Sequence, residues 1–134
     1  MSDLIFVYGT LQPGCAPAKI APWAARLRPV GHGFVRGVLY DLGGYPGAVP
    51  DRASTSRIAG TVMELPDDAA FLARLDAYEG YDPQTPEQSE YVRVRQVVET
   101  DEGGTMECWF YRYNREMDAA WVIEGGEWRG YREP

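Results

Sequence analysis

The pattern of hydrophobic and polar positions predicts a sheet-rich chain with few helices. The apolar run from Leu4 to Tyr8 is typical of a buried strand, and Gly9 ends it. Asp101 to Gly104 separates two strand-like stretches and predicts a hairpin turn. In addition to the first run, strands are predicted over residues 33–40, 56–65, 91–98 and 106–113.

Helical spacing is confined to two short stretches. Residues 18–28 carry apolar side chains at helical intervals, but Pro22 and Pro29 restrict any helix there to a short piece. Residues 69–79 form the better delimited helix, because Asp67 or Asp68 supplies an N-cap and Gly80 supplies the C-terminal glycine.

These elements predict an α+β fold. Antiparallel strands with two or three short helices favour a small, mostly antiparallel β-barrel flanked by helices over a doubly wound sheet. The tail from Trp121 to Trp128 is expected to close the far edge of the sheet. The chain has 134 residues, which suits a single domain over residues 1–134.

Charge and composition exclude several classes of protein. The net charge of -7 has the wrong sign for phosphate neutralisation, so nucleic acid is not an expected partner. The first residues carry no positive charge and the longest nearby apolar run has five residues, so neither secretion nor membrane insertion is predicted. We therefore expect a cytoplasmic location.

The two cysteines lack metal-ligand spacing. Cys15 and Cys108 are isolated, and His32 is the only histidine, so no zinc site is predicted and both thiols are expected to be free. Cys15 with His32 as base is a minor candidate for nucleophilic catalysis.

Two loops are candidates for ligand binding. Gly9 lets a ligand approach the peptide N–H groups closely, so we interpret the segment around it as an anion-binding loop; alternatively, Gly9 simply turns an edge strand. The loop from Asp41 to Gly47 could hold Tyr45 over a pocket. Its alternative is an ordinary surface turn with Tyr45 packed on the core.

Glu79 is the strongest chemical signal in the sequence. With Phe71 at zero on a helical wheel, the apolar stripe contains Leu75, Leu72 and Tyr78, and Glu79 lies at about 80°, between Leu75 and Leu72. Desolvation and the C-terminal helix dipole would both raise its pKa, as a general base near neutral pH requires. Alternatively, the last helical turn frays and Glu79 reaches water.

Several motifs, in this order, resemble the gamma-glutamylcyclotransferase-like family over nearly the whole chain. The similarity is greatest to the short branch of AIG2-like proteins that includes gamma-glutamylamine cyclotransferase, the plant avirulence-induced proteins and BtrG. The motifs are Tyr8-Gly9-Thr10-Leu11, residues 37–42 with Gly44-Tyr45-Pro46, residues 75–81, residues 89–93 and residues 109–114.

The resemblance implies a barrel with a pocket between the glycine loop and the helix that ends in the glutamate. It implies that Tyr8, Gly9, Thr10 and Leu11 bind the glutamyl end of a substrate and that Glu79 is the catalytic acid/base. Tyr45 and Tyr113 match aromatic pocket positions. The implied reaction converts a γ-glutamyl amine or amino acid into 5-oxoproline, without a cofactor or metal.

Two other functions remain open from the sequence. One is a catalytically inactive module of the same fold that binds a small carboxylate. The other is a hydrolase that pairs Glu79 with Glu64 or Glu90, which requires the second acid to be fixed close by.

Overall fold

The computed structural model describes residues 3–12 and 14–128, which form six strands and two α-helices. The strands are β1 (Leu4–Val7), β2 (Arg28–Asp41), β3 (Pro46–Pro50), β4 (Arg57–Glu64), β5 (Tyr91–Thr100) and β6 (Thr105–Tyr113). The helices are α1 (Ala21–Ala24) and α2 (Ala69–Tyr78), and single 3-10 turns lie at Pro86–Gln88 and Ala119–Trp121.

Five of the strands close into a barrel in the order β2, β4, β1, β6, β5. Pairing of Gly33 with Thr100 and of Phe34 with Glu99 joins β5 back to β2 and completes the circle. The pairings are antiparallel except that of β1 with β6, where Ile5 faces Trp109 in a parallel bridge. The predicted α+β barrel with short helices is therefore confirmed.

The structure extends β2 and adds a strand that the sequence pattern did not predict. β2 begins at Arg28 instead of Gly33, and its first part pairs with β4 through an irregularity between Pro29 and Gly31. The expected loop 41–47 contains the start of β3, which pairs with Gly37 to Asp41 of β2. The strand β3 was not predicted because it begins and ends with proline, which is typical of loops. Proline is nevertheless tolerated at the ends of an edge strand.

Strand β1 is buried on both faces and separates two hydrophobic cores. Phe6 and Tyr8 point into the barrel interior with Phe110 of β6, whereas Ile5 and Val7 pack in the core between the barrel and the helices. Because β4 and β6 flank β1, it is a central strand, and the interpretation of Gly9 as the turn of an edge strand is wrong.

Gly60 lies where two neighbouring strands approach each other closely inside the barrel. A Cβ at Gly60 would lie 2.5 Å from the Val7 carbonyl oxygen and 2.6 Å from Cζ of Phe6. The glycine therefore allows the backbone of β4 to pack directly against β1, the strand that leads into the glycine loop.

Helix α2 begins at the predicted residue and ends one residue earlier than predicted, at Tyr78. The Asp68 carboxylate accepts a hydrogen bond of 3.0 Å from the Ala70 N–H, and Gly80 adopts a φ of 69° just beyond the helix. Helix α1 is a single turn, shorter than residues 18–28, because Pro22 lies at its start. No helix within the described residues is long and apolar enough to span a membrane.

The C-terminal part of the described chain covers one end of the barrel. The Ile123 N–H donates to the Leu39 carbonyl of β2 at 2.8 Å, and the Ala59 N–H of β4 donates to the Gly126 carbonyl at the same distance. Trp128 is buried in the barrel-interior core. The tail therefore bonds to two neighbouring strands of a sheet that β5 and β2 already close, so it does not close a far edge of the sheet as predicted.

Candidate active site

A cavity of about 280 Å³ opens where the loop after β1, the end of α2 and the start of β5 meet. Its size is close to the lower end of the range for small-molecule sites. The residues that line it are Phe6, Val7, Tyr8, Gly9, Thr10, Leu11, Tyr45, Pro46, Tyr78, Glu79, Glu90, Tyr91 and Tyr111.

The loop after β1 lines this cavity and contains backbone donors that no described protein group uses. The carbonyl oxygens of Tyr8 and Gly9 accept hydrogen bonds of 3.0 Å from the side chain and the backbone N–H of Gln12, respectively. Within residues 3–12 and 14–128, no acceptor pairs with the N–H groups of Gly9, Thr10 or Leu11. These donors are available to an anion or to a developing oxyanion.

Replacing Gly9 by alanine is expected to narrow the cavity at this loop. A Cβ at Gly9 would lie 2.7 Å from Cγ of Pro46, which is also a lining residue. We expect Gly9→Ala to weaken binding of 5-oxoproline, measured by calorimetry, by about tenfold because the donor N–H groups must move. Gly31→Ala, where a Cβ meets no atom within 4 Å, is the matched control, and equal affinities in both variants would contradict this role of the loop.

Glu79 follows the last residue of α2 and lies on the cavity wall. Its N–H donates to the Leu75 carbonyl at 2.9 Å, so the helix end does not fray as the alternative interpretation supposed. Among the described residues, no group donates a hydrogen bond to the Glu79 carboxylate, and none forms an ion pair with it. Burial, together with the charge of Glu90, raises the pKa of Glu79 to about 8.

The apolar stripe of α2 is largely as the helical wheel predicted. Phe71 and Leu75 are fully buried and Leu72 packs partly against the same core. Tyr78 departs from the prediction, because 37% of it is exposed and its hydroxyl shares a hydrogen bond of 2.7 Å with the Thr10 hydroxyl. Tyr78 therefore joins the helix end to the glycine loop instead of filling the core.

Tyr45 stands over the cavity, as the loop prediction proposed. The residue is 41% exposed, and its hydroxyl donates a hydrogen bond of 2.7 Å to Oε2 of Glu90. That hydrogen bond is the main reason why the pKa of Tyr45 is raised to about 12. Tyr45 is therefore not packed on the core as in the surface-turn alternative.

Tyr8 and Tyr113 occupy different positions relative to the cavity. Tyr8 lines it, and its hydroxyl donates to the Tyr111 carbonyl. Burial raises the pKa of Tyr8 well above its usual value, so its hydroxyl stays neutral. Tyr113 is not among the lining residues; its ring packs edge-on against Tyr91 at 5.3 Å, and its expected role in substrate binding stays a prediction.

A buried network next to the site was missed by the sequence analysis. Asp76 is 6% exposed and accepts two hydrogen bonds from Arg93, at 2.8 and 3.2 Å, and one of 2.7 Å from the Tyr111 hydroxyl. A signal was present, because Asp76 lies at about 140° on the wheel, beside Leu72 at about 100°. A carboxylate at the border of an apolar stripe needs a partner.

Of the other acidic residues proposed from the sequence, one lines the cavity and one does not. Glu90 lines the cavity with Glu79, whereas Glu64 pairs with Arg28 at 2.6 Å outside it. Both cysteines are free thiols, and burial raises the pKa of Cys108 to about 11, which makes it a poor nucleophile. No hydrogen bond joins Cys15 to His32 within the described ranges, and no metal-binding group of three His, Cys, Asp or Glu residues occurs there.

Comparison with known proteins identifies relatives over most of the chain. The family model described as gamma-glutamyl cyclotransferase, AIG2-like, matches residues 5–130. The gamma-glutamylcyclotransferase family protein YtfP of Escherichia coli strain K12 is 34% identical over 125 residues, which are 92% of this chain and 94% of YtfP.

Solved structures share the fold. YkqA from Bacillus subtilis superimposes with a TM-score of 0.69 at 25% identity over 96% of this chain, which spans 40% of the length of YkqA. An AIG2-like protein from Mus musculus superimposes with a TM-score of 0.68 at 22% identity, covering 98% of this chain and 88% of that chain. At that identity the second likeness shows the fold alone.

Proposed function

Because this chain belongs to the AIG2-like gamma-glutamylcyclotransferase family, we propose that it cyclises γ-glutamyl amines or γ-glutamyl amino acids. In this reaction the α-amine nitrogen attacks the side-chain amide carbonyl of the same molecule. The new C–N bond closes the ring of 5-oxoproline, the original amide C–N bond breaks, and the second nitrogen leaves as the free amine. Nucleophile and electrophile are tethered in the substrate, so the protein needs few groups.

One observation carries the proposal: a carboxyl without a protein partner and a row of unused N–H groups line the same cavity. The Glu79 carboxylate takes a proton from the α-ammonium and gives it to the departing nitrogen. The ring nitrogen loses a second proton after the attack, and the released amine takes that proton and leaves as an ammonium. The N–H groups of Gly9 to Leu11 hold the α-carboxylate or the oxyanion that forms at the amide carbonyl.

The charges of the cavity explain why backbone donors are needed. The ionisable acids on its wall are Glu79 and Glu90, and none of the described lining residues is Lys, Arg or His. An anionic substrate end therefore has no cationic side chain to bind there. Peptide N–H groups carry partial positive charge without a titratable side chain, and the loop after β1 supplies them.

The direct test is turnover by the purified protein. A panel of γ-glutamyl amines and γ-glutamyl amino acids is incubated with the protein, and 5-oxoproline and the released amine are quantified by mass spectrometry. We expect equimolar 5-oxoproline and amine from at least one class of substrate. Release of glutamate with the amine would instead indicate hydrolysis by water, which is the alternative that pairs Glu79 with Glu90, the other acid that lines the cavity.

Binding without turnover would favour the inactive carboxylate-binding module. In that case 5-oxoproline would bind, as detected by calorimetry, while no member of the panel is converted. Absence of both binding and turnover would contradict the proposed site as well as the proposed reaction.

A further inference from the structure

Glu90 is a second carboxylate in the cavity, and the cyclisation described above gives it no role. Its backbone is held on both sides: its N–H donates to the Gly80 carbonyl at 3.2 Å, and its carbonyl accepts from the Asn114 N–H at 2.8 Å. A Cβ at Gly80 would lie 3.5 Å from Cβ of Glu90. Glu90 therefore projects from a backbone directly beside the residue that follows Glu79.

The Glu90 side chain is also fixed in direction. Its Oε2 accepts the Tyr45 hydroxyl at 2.7 Å, while no arginine or lysine among the described residues forms an ion pair with it. Only one of its two carboxylate oxygens has a side-chain donor in the part of the chain that the structure describes. The other oxygen is free to accept a hydrogen bond from a ligand.

Two neighbouring carboxylates in a cavity repel each other unless a proton or a cation lies between them. A γ-glutamyl substrate brings one cationic nitrogen whatever amine it carries, namely its α-ammonium. This group has three N–H bonds, so it can donate to both carboxylates and still keep one donor. The charge of every such substrate therefore complements the two acids in the same way.

Given the cyclisation proposed above, on which this inference rests, we propose that Glu90 binds the α-ammonium of the γ-glutamyl group together with Glu79. Glu90 holds the nitrogen in place and transfers no proton. Glu79 removes one proton, and the nitrogen lone pair so released attacks the amide carbonyl. Glu90 is then a substrate-binding residue that orients the nucleophile, and Glu79 alone transfers protons.

The other titratable groups around the two acids do not compete for this role. Five tyrosines line the cavity, and their hydroxyls stay neutral because the pKa of each is raised: Tyr8, Tyr45, Tyr78, Tyr91 and Tyr111. Arg115 lies near Tyr45 outside the lining residues, and Arg93 is paired with Asp76.

The test is the isosteric variant Glu90→Gln, which keeps an acceptor for Tyr45 and removes the charge. We expect the KM to rise about tenfold for γ-glutamyl derivatives of neutral, anionic and cationic amines alike, with kcat changed less than about threefold. We also expect the acidic limb of kcat/KM to move to lower pH, because loss of the Glu90 charge lowers the pKa of Glu79. That shift reports only the charge of Glu90 beside Glu79, so the KM effect common to all leaving amines is the readout of the contact with the α-ammonium.

Ligand binding tests the same contact without turnover. L-norleucine and hexanoate have the same carbon chain and a carboxylate, and norleucine adds the α-ammonium. We expect the wild type to bind norleucine more tightly than hexanoate in calorimetry, and we expect the ratio of the two affinities to be about tenfold smaller in Glu90→Gln. This measurement remains valid if no γ-glutamyl compound is turned over, so failure of the proposed reaction is distinguished from failure of this inference.

Glu87→Gln is the matched control, because Glu87 is exposed three positions before Glu90 and the substitution changes the net charge equally. We expect it to leave KM, the pH profile and the norleucine preference unchanged. A KM effect of Glu90→Gln confined to cationic leaving amines would overturn the inference, because Glu90 would then contact the departing amine. An unchanged preference for norleucine over hexanoate would also overturn it.

Discussion

Glu79→Gln is expected to lower the kcat/KM for release of 5-oxoproline by about 10²- to 10⁴-fold. Glutamine keeps the shape of the side chain at the end of α2 but cannot accept the proton of the α-ammonium or return it to the leaving nitrogen. The KM should change less than kcat, because the N–H groups of the loop after β1 are untouched. Steady-state kinetics on a γ-glutamyl substrate identified in the panel measures both.

The pH dependence of kcat/KM tests the role of Glu79 independently. Glu79 acts as a base only when it is deprotonated and its pKa is raised to about 8, so kcat/KM of the wild type should rise about tenfold per pH unit below 8. The residual activity of Glu79→Gln should lack this limb. A full limb in the variant would assign the titration to another group and contradict the mechanism.

The raised pKa of Glu79 also predicts that the stability of the wild type falls as pH rises, whereas its kcat/KM rises. An acid whose folded pKa is raised binds more protons in the folded state, so the wild type should lose stability as pH rises from about 4.5 to about 8. Glu79→Gln should lack this decline and have the higher Tm at pH 9. The exposed Glu87→Gln variant is again the control. If Glu79→Gln lost as much stability with rising pH as the wild type, the Glu79 carboxyl of the wild type would not be desolvated.

Asp76→Ala is expected to destabilise the fold by about 3 kcal/mol, or roughly 10 °C in Tm. Removal of Asp76 leaves the Arg93 guanidinium, whose side chain is 17% exposed, without its bidentate partner, and leaves the Tyr111 hydroxyl without its acceptor. Thermal or urea unfolding followed by circular dichroism measures the change.

Asp67→Ala is the matched control for this prediction. Asp67 is exposed in the segment before α2, and its removal should change the free energy of unfolding by less than about 0.5 kcal/mol. If both variants were equally stable, the buried pair of Asp76 and Arg93 would contribute nothing beyond a surface charge.

The parts of the site that the sequence predicted are those determined by local pattern. A strand of apolar residues ending at Gly9 and a helix closed by Gly80 are encoded within a few neighbouring positions. Helical periodicity then predicted that Glu79 lies on the apolar side of α2. The family resemblance added that the two segments share one pocket, which periodicity does not show.

The parts that were not predicted depend on contacts between distant segments. Strand β3 forms because a proline-flanked segment pairs with the end of β2, and Asp76 is buried because Arg93 and Tyr111 reach it from β5 and β6. Tyr113 shares a face of β6 with Tyr111 yet packs beside the cavity. Strand alternation gives the face of a side chain but not its distance from a pocket.

The parallel pairing of β1 with β6 has a consequence for the order in which the protein matures. The hydrogen bond from Tyr8 to Tyr111 spans 103 positions. At the usual pace of translation, roughly 5 to 20 s separate the synthesis of these two residues. During that interval on the ribosome the glycine loop lacks the neighbour that orients it, so the cavity beside this loop can form only after β6 has emerged and the barrel has closed.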